Sequence, residues 1–168
     1  MNDKPHLIRD FLGILILGFT AFTVIALVSY HPGDPSFNNY SLREGVSVQN
    51  HGGLVGAYLS DSLVQVFGSG GFFFPFVTFL AGWILIRGAQ FERWPMIFGA
   101  GVLMLVNVCT LLAIRWPQDP FFESLAKPGG IAGTFLADLL KLWFNDTGTQ
   151  LMVWTLMIIS IVAMLGVS

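Results

Sequence analysis

Charge is what this sequence has least of. Only 11% of its 168 residues are Asp, Glu, Lys or Arg, against about 25% in an ordinary soluble domain. Eight basic and ten acidic residues leave a net charge of −2, which excludes the basic surface that direct nucleic-acid binding requires. Cys109 is the single cysteine, so no intramolecular disulfide forms, and its place in an apolar run makes it a small buried hydrophobe. The chain has no Gly-x4-Gly-Lys-Ser/Thr loop, no His-Glu-x-x-His and no Cys-x-x-Cys. Phosphate-loop nucleotide binding and the common zinc motifs are excluded with them. His31 and His51 share a loop without a third ligand and read as surface residues.

Long uncharged stretches stand where the charge is missing. Apolar residues make up 54% of the chain, with 16 Phe and 5 Trp. Residues 11–29, 62–86, 94–114 and 147–168 contain no Asp, Glu, Lys or Arg. A helix rises about 1.5 Å per residue, so about 20 apolar residues cross a hydrocarbon layer about 30 Å thick. The sequence therefore predicts an all-α membrane protein with four transmembrane helices, over residues 11–30, 72–86, 95–114 and 150–167. Lys4 and Arg9 precede the first run as in a secretory signal. That run exceeds the usual length of about 7–15 residues and lacks a small-x-small cleavage site, so it is expected to stay as the first span.

The chain also repeats itself. Gly52-Gly53-Leu54-Val55-Gly56-Ala57-Tyr58-Leu59-Ser60-Asp61-Ser62-Leu63 returns 77 residues later as Gly129-Gly130-Ile131-Ala132-Gly133-Thr134-Phe135-Leu136-Ala137-Asp138-Leu139-Leu140. Six of the twelve positions are identical, and Phe67 and Phe144 extend the match. An Asp-Pro turn precedes each copy, with Pro32, Asp34 and Pro35 in the first and Pro117, Asp119 and Pro120 in the second. Proline fixes φ and removes an amide donor, so each preceding helix stops there. These features point to a duplication. One membrane domain over 1–168 would comprise two repeated hairpins, 11–86 and 95–168. Each hairpin would carry a short helix in its outer loop, 54–67 and 131–144.

On a helical wheel the second short helix gathers Thr134, Asp138 and Lys141 on one side and Leu136, Leu140, Trp143 and Phe144 across the other. That is the pattern of a helix lying in a membrane interface; a helix tucked between spans is the alternative. Asp61 and Asp138 would then face water. A facing pair inside the membrane would instead mark a cation path, and with it a small transporter or channel subunit built from two parallel repeats. Within the spans, Gly82, Gly99 and Gly101 are expected to let helices approach closely, and Asn107 to hydrogen-bond between helices. Basic residues concentrate in the N-terminal tail (Lys4, Arg9) and the short connector (Arg87, Arg93), which predicts both termini in the cytoplasm. Phe37, Tyr40, Trp116, Phe121 and Phe122 in the outer loops would anchor partner proteins or pack in the lipid interface.

Two segments resemble a known family. Ser29-Tyr30-His31-Pro32-Gly33-Asp34-Pro35-Ser36-Phe37 is similar to the Ser-Tyr-x-Pro-x-Asp-Pro-Ser-aromatic stretch after the first span of FtsK/SpoIIIE-type DNA translocases. Asn50-His51-Gly52-Gly53-Leu54-Val55-Gly56-Ala57-Tyr58-Leu59-Ser60-Asp61 resembles their Asn-x-Gly-Gly-x-x-Gly-Ala-x-Leu-(Ala/Ser)-Asp segment, and Phe67-Gly68 the Phe-Gly that closes it. With the four spans, the likeness runs from about residue 11 to 168. It implies the N-terminal membrane module of a cell-division protein in the bacterial inner membrane, placed at the septum. The implied partners are the lipid bilayer, other divisome membrane proteins and further copies of the chain, a hexamer in the full-length family. It also implies no catalytic, cofactor or metal residues within 1–168. ATP, magnesium and DNA would belong to a motor domain that this stretch leaves out.

Overall fold

The computed structural model describes residues 4–37, 47–88, 94–117 and 126–165. Among them are five α-helices: α1 (Lys4–Val28), α2 (Gly53–Phe67), α3 (Phe74–Ile86), α4 (Trp94–Arg115) and α5 (Gly130–Leu165). Six residues of 3₁₀-helix, Gly68–Phe73, join α2 to α3. Four stretches are long and apolar enough to cross a membrane: Leu7–Val28, Gly53–Ile86, Trp94–Arg115 and Gly130–Met164.

Both expected short helices form, but neither is cut off by a loop from the span that follows it. The chain turns from α2 into the 3₁₀ segment at Gly68 (φ 60, ψ −140) and bends within α5 at Asn145 (φ 57, ψ 177). A positive φ with extended ψ is essentially a glycine conformation. Gly68 adopts it freely, whereas Asn145, 77 residues further on, adopts it under strain. From Gly68 to Ile86, six 3₁₀ and 13 α residues rise about 12 and 20 Å. From Asp146 to Leu165 the helix rises about 30 Å. Each stretch beyond its break thus matches one hydrocarbon thickness.

Helix α1 packs chiefly against α3 and α4 against α5, while α2 lies against both α1 and α5. Glycines allow the α1–α3 approach and a further one between α3 and α4. A Cβ on Gly82 of α3 would stand 3.1 Å from Gly13 O on α1, and one on Gly101 of α4 2.7 Å from Val77 Cγ1. Gly99 plays no such part: it is exposed, and a Cβ there would meet nothing within 4 Å. It lies two residues from Gly101, so the helix turn carries it to another face. The expectation for Asn107 is also corrected. Its Nδ2 donates to Leu103 O of its own helix at 3.0 Å, and its buried Oδ1 accepts no hydrogen bond from the described residues. The carbonyl one turn back lies within reach of the short side chain and outcompetes a partner across the interface.

A threonine pair does what Asn107 does not. Thr20 Oγ1 of α1 lies 2.9 Å from Thr78 Oγ1 of α3, both side chains buried. Substituting either with valine should cost about 0.6 kcal/mol, the typical value of an interhelical hydrogen bond in a membrane. The double variant should cost less than the two singles summed, as read from unfolding in mixed micelles. Additive losses would show that the pair is not coupled.

Two apolar clusters anchor the packing. Leu27, Leu63 and Val64 gather Tyr30, Leu59 and Phe67 around them. Val77, Leu105 and Cys109 form the second, with Phe67 and Phe74 touching both. The outward faces carry Ile14, Phe76, Trp154 and Ile158, apolar residues that suit contact with lipid.

Candidate functional site

The site built by the sequence motif is a polar knot where α1 ends and α2 begins. Helix α1 has carbonyls without helical partners at its end, as every helix does. Asn50, 4% exposed, takes up two of the carbonyls there: its Nδ2 donates to Ala26 O at 2.8 Å and lies 3.3 Å from Ser29 O. The same nitrogen is 3.2 Å from Ser60 Oγ on α2. Its Oδ1 accepts the Gly52 amide at 2.9 Å, the turn asparagine makes with the backbone two residues on. One side chain therefore ties three segments together.

Asp34 holds the loop to this knot. Its two carboxylate oxygens accept the backbone amides of Gln49 and Asn50, each at 2.9 Å. Pro35 and Ser36 are buried beside it. The turn residue read from the sequence is thus also a clamp across the loop, and a charged acceptor makes both bonds stronger than neutral ones. His51 N donates to Ser29 Oγ at 2.9 Å and closes the knot from the other side.

The motif glycines fit this arrangement by lacking a Cβ. At Gly56 a Cβ would overlap Asn50 Oδ1, and at Gly52 it would lie 2.9 Å from Gly56 Cα. In the second copy Lys127 and Pro128 stand where Asn50 and His51 stand in the first, and the glycines meet a helix backbone instead. A Cβ on Gly129 or Gly133 would overlap the Cys109 carbonyl of α4. Cys109 is fully buried, with Sγ 3.4 Å from Phe67 O. Gly53 (φ 63) and Gly130 (φ 61) open the two helices alike: each amide bonds three residues back, to Asn50 O and Lys127 O, both at 2.8 Å.

The two copies touch where α2 ends. Ser69 donates through both its amide and its hydroxyl to Pro128 O, each at 2.9 Å. A Cβ on Gly68 would overlap Lys127 O and Pro128 O, and one on Gly130 would overlap Gly68 N. Backbone meets backbone here.

The paired acids part company. Asp61 is 6% exposed, and Tyr30 donates its hydroxyl to Asp61 Oδ1 at 3.1 Å. Its expected place on a water face is corrected: α2 buries Gly56, Ala57, Ser60, Asp61, Leu63 and Val64 against its neighbours. Burial, then the Asp61 charge and hydrogen bond, push the Tyr30 phenol well above its ordinary value, so it remains a donor throughout the physiological range. Asp138 is exposed. Lys141 pairs with Asp146 at 3.1 Å instead of with Asp138.

Of the other motif residues, Leu59 and Leu136 are half-buried, and Pro32 lies half-buried in the first turn. Pro117 is exposed just beyond α4, and Asp119 and Pro120 fall outside the described residues, as do Tyr40, Phe121 and Phe122. Asn50, Ser60 and Tyr30 were not singled out as site residues. The signal for Asn50 is its place directly before a Gly-containing turn; the signal for Tyr30 and Ser60 is their place in the two family-like segments.

A membrane domain of four crossing-length helices, knotted by polar residues at helix ends, is the class that this fold defines. Residues 5–168 match the model of the 4TM region of DNA translocase FtsK/SpoIIIE, and the chain belongs to that family. It is 32% identical over 134 residues to a DNA translocase FtsK of Vibrio parahaemolyticus, covering 76% of this chain and 12% of that protein. The corresponding protein of Vibrio vulnificus is 31% identical, over 82% of this chain and 14% of the relative. That of Haemophilus ducreyi is 29% identical, over 94% and 16%. The chain therefore spans only 12–16% of the length of these relatives. No solved structure matches it.

Proposed function

We propose that this chain is the membrane anchor of a DNA translocase, holding the motor at the division septum of the inner membrane. The observation that carries the reading is the family match over residues 5–168, on a fold with four crossing-length helices. The relatives' name, DNA translocase FtsK, supplies the activity, which belongs to a motor outside these residues and uses ATP and magnesium. In this reading both termini face the cytoplasm, and the two copies of the motif form repeated hairpins. The short helices lie near the outer membrane surface. Breaks at Gly68 and Asn145, each one hydrocarbon thickness from the end of its span, support that placement.

The anchor acts through packing. Confinement to a membrane raises the effective concentration of attached motors, so they assemble into a hexamer with fewer contacts of their own. The Asn50 knot keeps the outer ends of α1 and α2 rigid. Phe37, exposed and edge-on to Tyr58 with ring centroids 4.9 Å apart, is a contact point for other divisome membrane proteins.

The transporter reading gains one observation and loses another: Asp61 is a buried carboxylate, but its counterpart Asp138 is exposed. Localisation separates the two. A fluorescent protein that folds only in the cytoplasm, fused to the C-terminus, should give a band at mid-cell in dividing bacteria. Even fluorescence around the membrane would remove septal targeting from these residues. A dark cell with intact protein on a blot would reverse the orientation.

A further inference from the structure

We propose that the cavity between the end of α4 and the start of α5 seats the headgroup of one zwitterionic aminophospholipid, of the phosphatidylethanolamine type. The cavity measures about 220 Å³ and is lined by Trp116, Lys127, Thr134, Asp138 and Lys141, among others. Trp116 directly follows α4, whose apolar crossing ends at Arg115, so the cavity opens at the level where a bilayer places its headgroups. Tryptophan favours that level because its ring is apolar and its N–H polar.

Beside it lies a second hollow of about 410 Å³ that shares Lys127, Thr134 and Asp138 and adds Ile131 and Phe135. Those two are 67% and 68% exposed, and Leu139 and Leu142 continue the same row along α5. Residues four, four and three apart share one helix face. An apolar track therefore leads away from a polar seat, which is the outline of a phospholipid.

Charge selects the headgroup. Lys127 and Lys141 offer ammonium groups to a phosphate. Asp138 is exposed in the same wall and offers a carboxylate to an amine. The Thr134 hydroxyl donates to Gly130 O at 2.6 Å and keeps lone pairs for the same amine. Lys141 is also 3.1 Å from Asp146 Oδ1, which lies outside the lining, so among the described residues Lys127 and Asp138 are left as one cation and one anion in the wall of the seat. A balanced set complements a headgroup that carries both signs, whereas an anionic headgroup would leave Asp138 facing a like charge. The inference rests on the membrane reading of the α4 end and is independent of septal targeting.

Native mass spectrometry of the chain released from detergent, with lipids of identical acyl chains, tests it. One phosphatidylethanolamine should be retained in preference to phosphatidylglycerol. Lys127→Ala should reduce its retention about fivefold, the effect of one basic contact at a membrane surface, and Lys127→Arg should restore it. Asp138→Asn should abolish the preference between the two lipids. Circular dichroism checks that each variant keeps its helices, which these exposed positions should allow. Equal retention of both lipids by the unmodified chain would overturn the proposal, as would variants that bind like it. Soluble glycerophosphoethanolamine binding as tightly as the lipid would overturn it too, by assigning the seat to a free metabolite.

Discussion

Asn50→Ala is expected to destabilise the folded domain by about 3 kcal/mol, more than any other single polar substitution considered. The side chain donates to Ala26 O, lies within reach of Ser29 O and Ser60 Oγ, and accepts the Gly52 amide. Truncation takes the Asn50 partner from Ala26 O, Ser29 O and the Gly52 amide, while Ser60 Oγ keeps its bonds to Gly56 O and Ala57 O. Each orphan costs about 1–3 kcal/mol, discounted because they share one site and relax together. Asn50→Asp should be at least as harmful, since a carboxylate cannot donate to two carbonyls and is repelled by them. Gln49→Ala is the control: Gln49 contributes its backbone amide to Asp34, while its side chain is exposed. Thermal unfolding in mild detergent, followed by circular dichroism, reads all three. An Asn50→Ala midpoint equal to that of Gln49→Ala would show that the knot does not hold α1 to α2.

Opposite effects are expected at the two backbone breaks. Gly68→Ala should cost about 4 kcal/mol, from a conformation that only glycine adopts readily and from overlap with two carbonyl oxygens. The overlapping atoms are Lys127 O and Pro128 O, backbone that no rotamer change moves aside. Asn145→Gly should stabilise the fold by about 1 kcal/mol, because Asn145 holds φ 57 with an extended ψ that glycine reaches without penalty. Gly99→Ala, in open space on α4, sets the scale of a harmless exchange and should gain up to about 1 kcal/mol from helix propensity. The same unfolding measurement ranks the three. A Gly68→Ala variant as stable as Gly99→Ala would mean that α2 and α5 do not cross backbone to backbone.

These two sites differ in how readable they were. Uncharged runs of the right length announced four crossings, and the structure has four stretches that qualify. The repeated Gly-Gly-x-x-Gly marked a duplication, and in the structure Gly56, Gly129 and Gly133 all lie where a Cβ would collide. What they approach was hidden: an asparagine amide in one copy and the Cys109 backbone in the other. Gly82, Gly99 and Gly101 look alike in sequence, yet only Gly82 and Gly101 face a neighbouring helix. Asn107 looked like the bond between helices, but the chemistry of a short amide is met by its own helix, and a pair of threonines makes that bond.

Two short motifs carried the family likeness, while composition and periodicity by themselves determined the environment of the chain, its helical class and the number of crossings. They could do so because the cost of burying charge or unpaired backbone in lipid acts on every residue and writes itself along the whole sequence. Tertiary structure alone decided that Asp61 is buried against Tyr30 while Asp138 is exposed. It also decided that Lys141 turns to Asp146 and that Asn50 binds three segments. Those outcomes depend on which side chains come within about 3 Å of one another, set by packing and by the bend at Asn145, and such distances leave no periodic trace in the sequence.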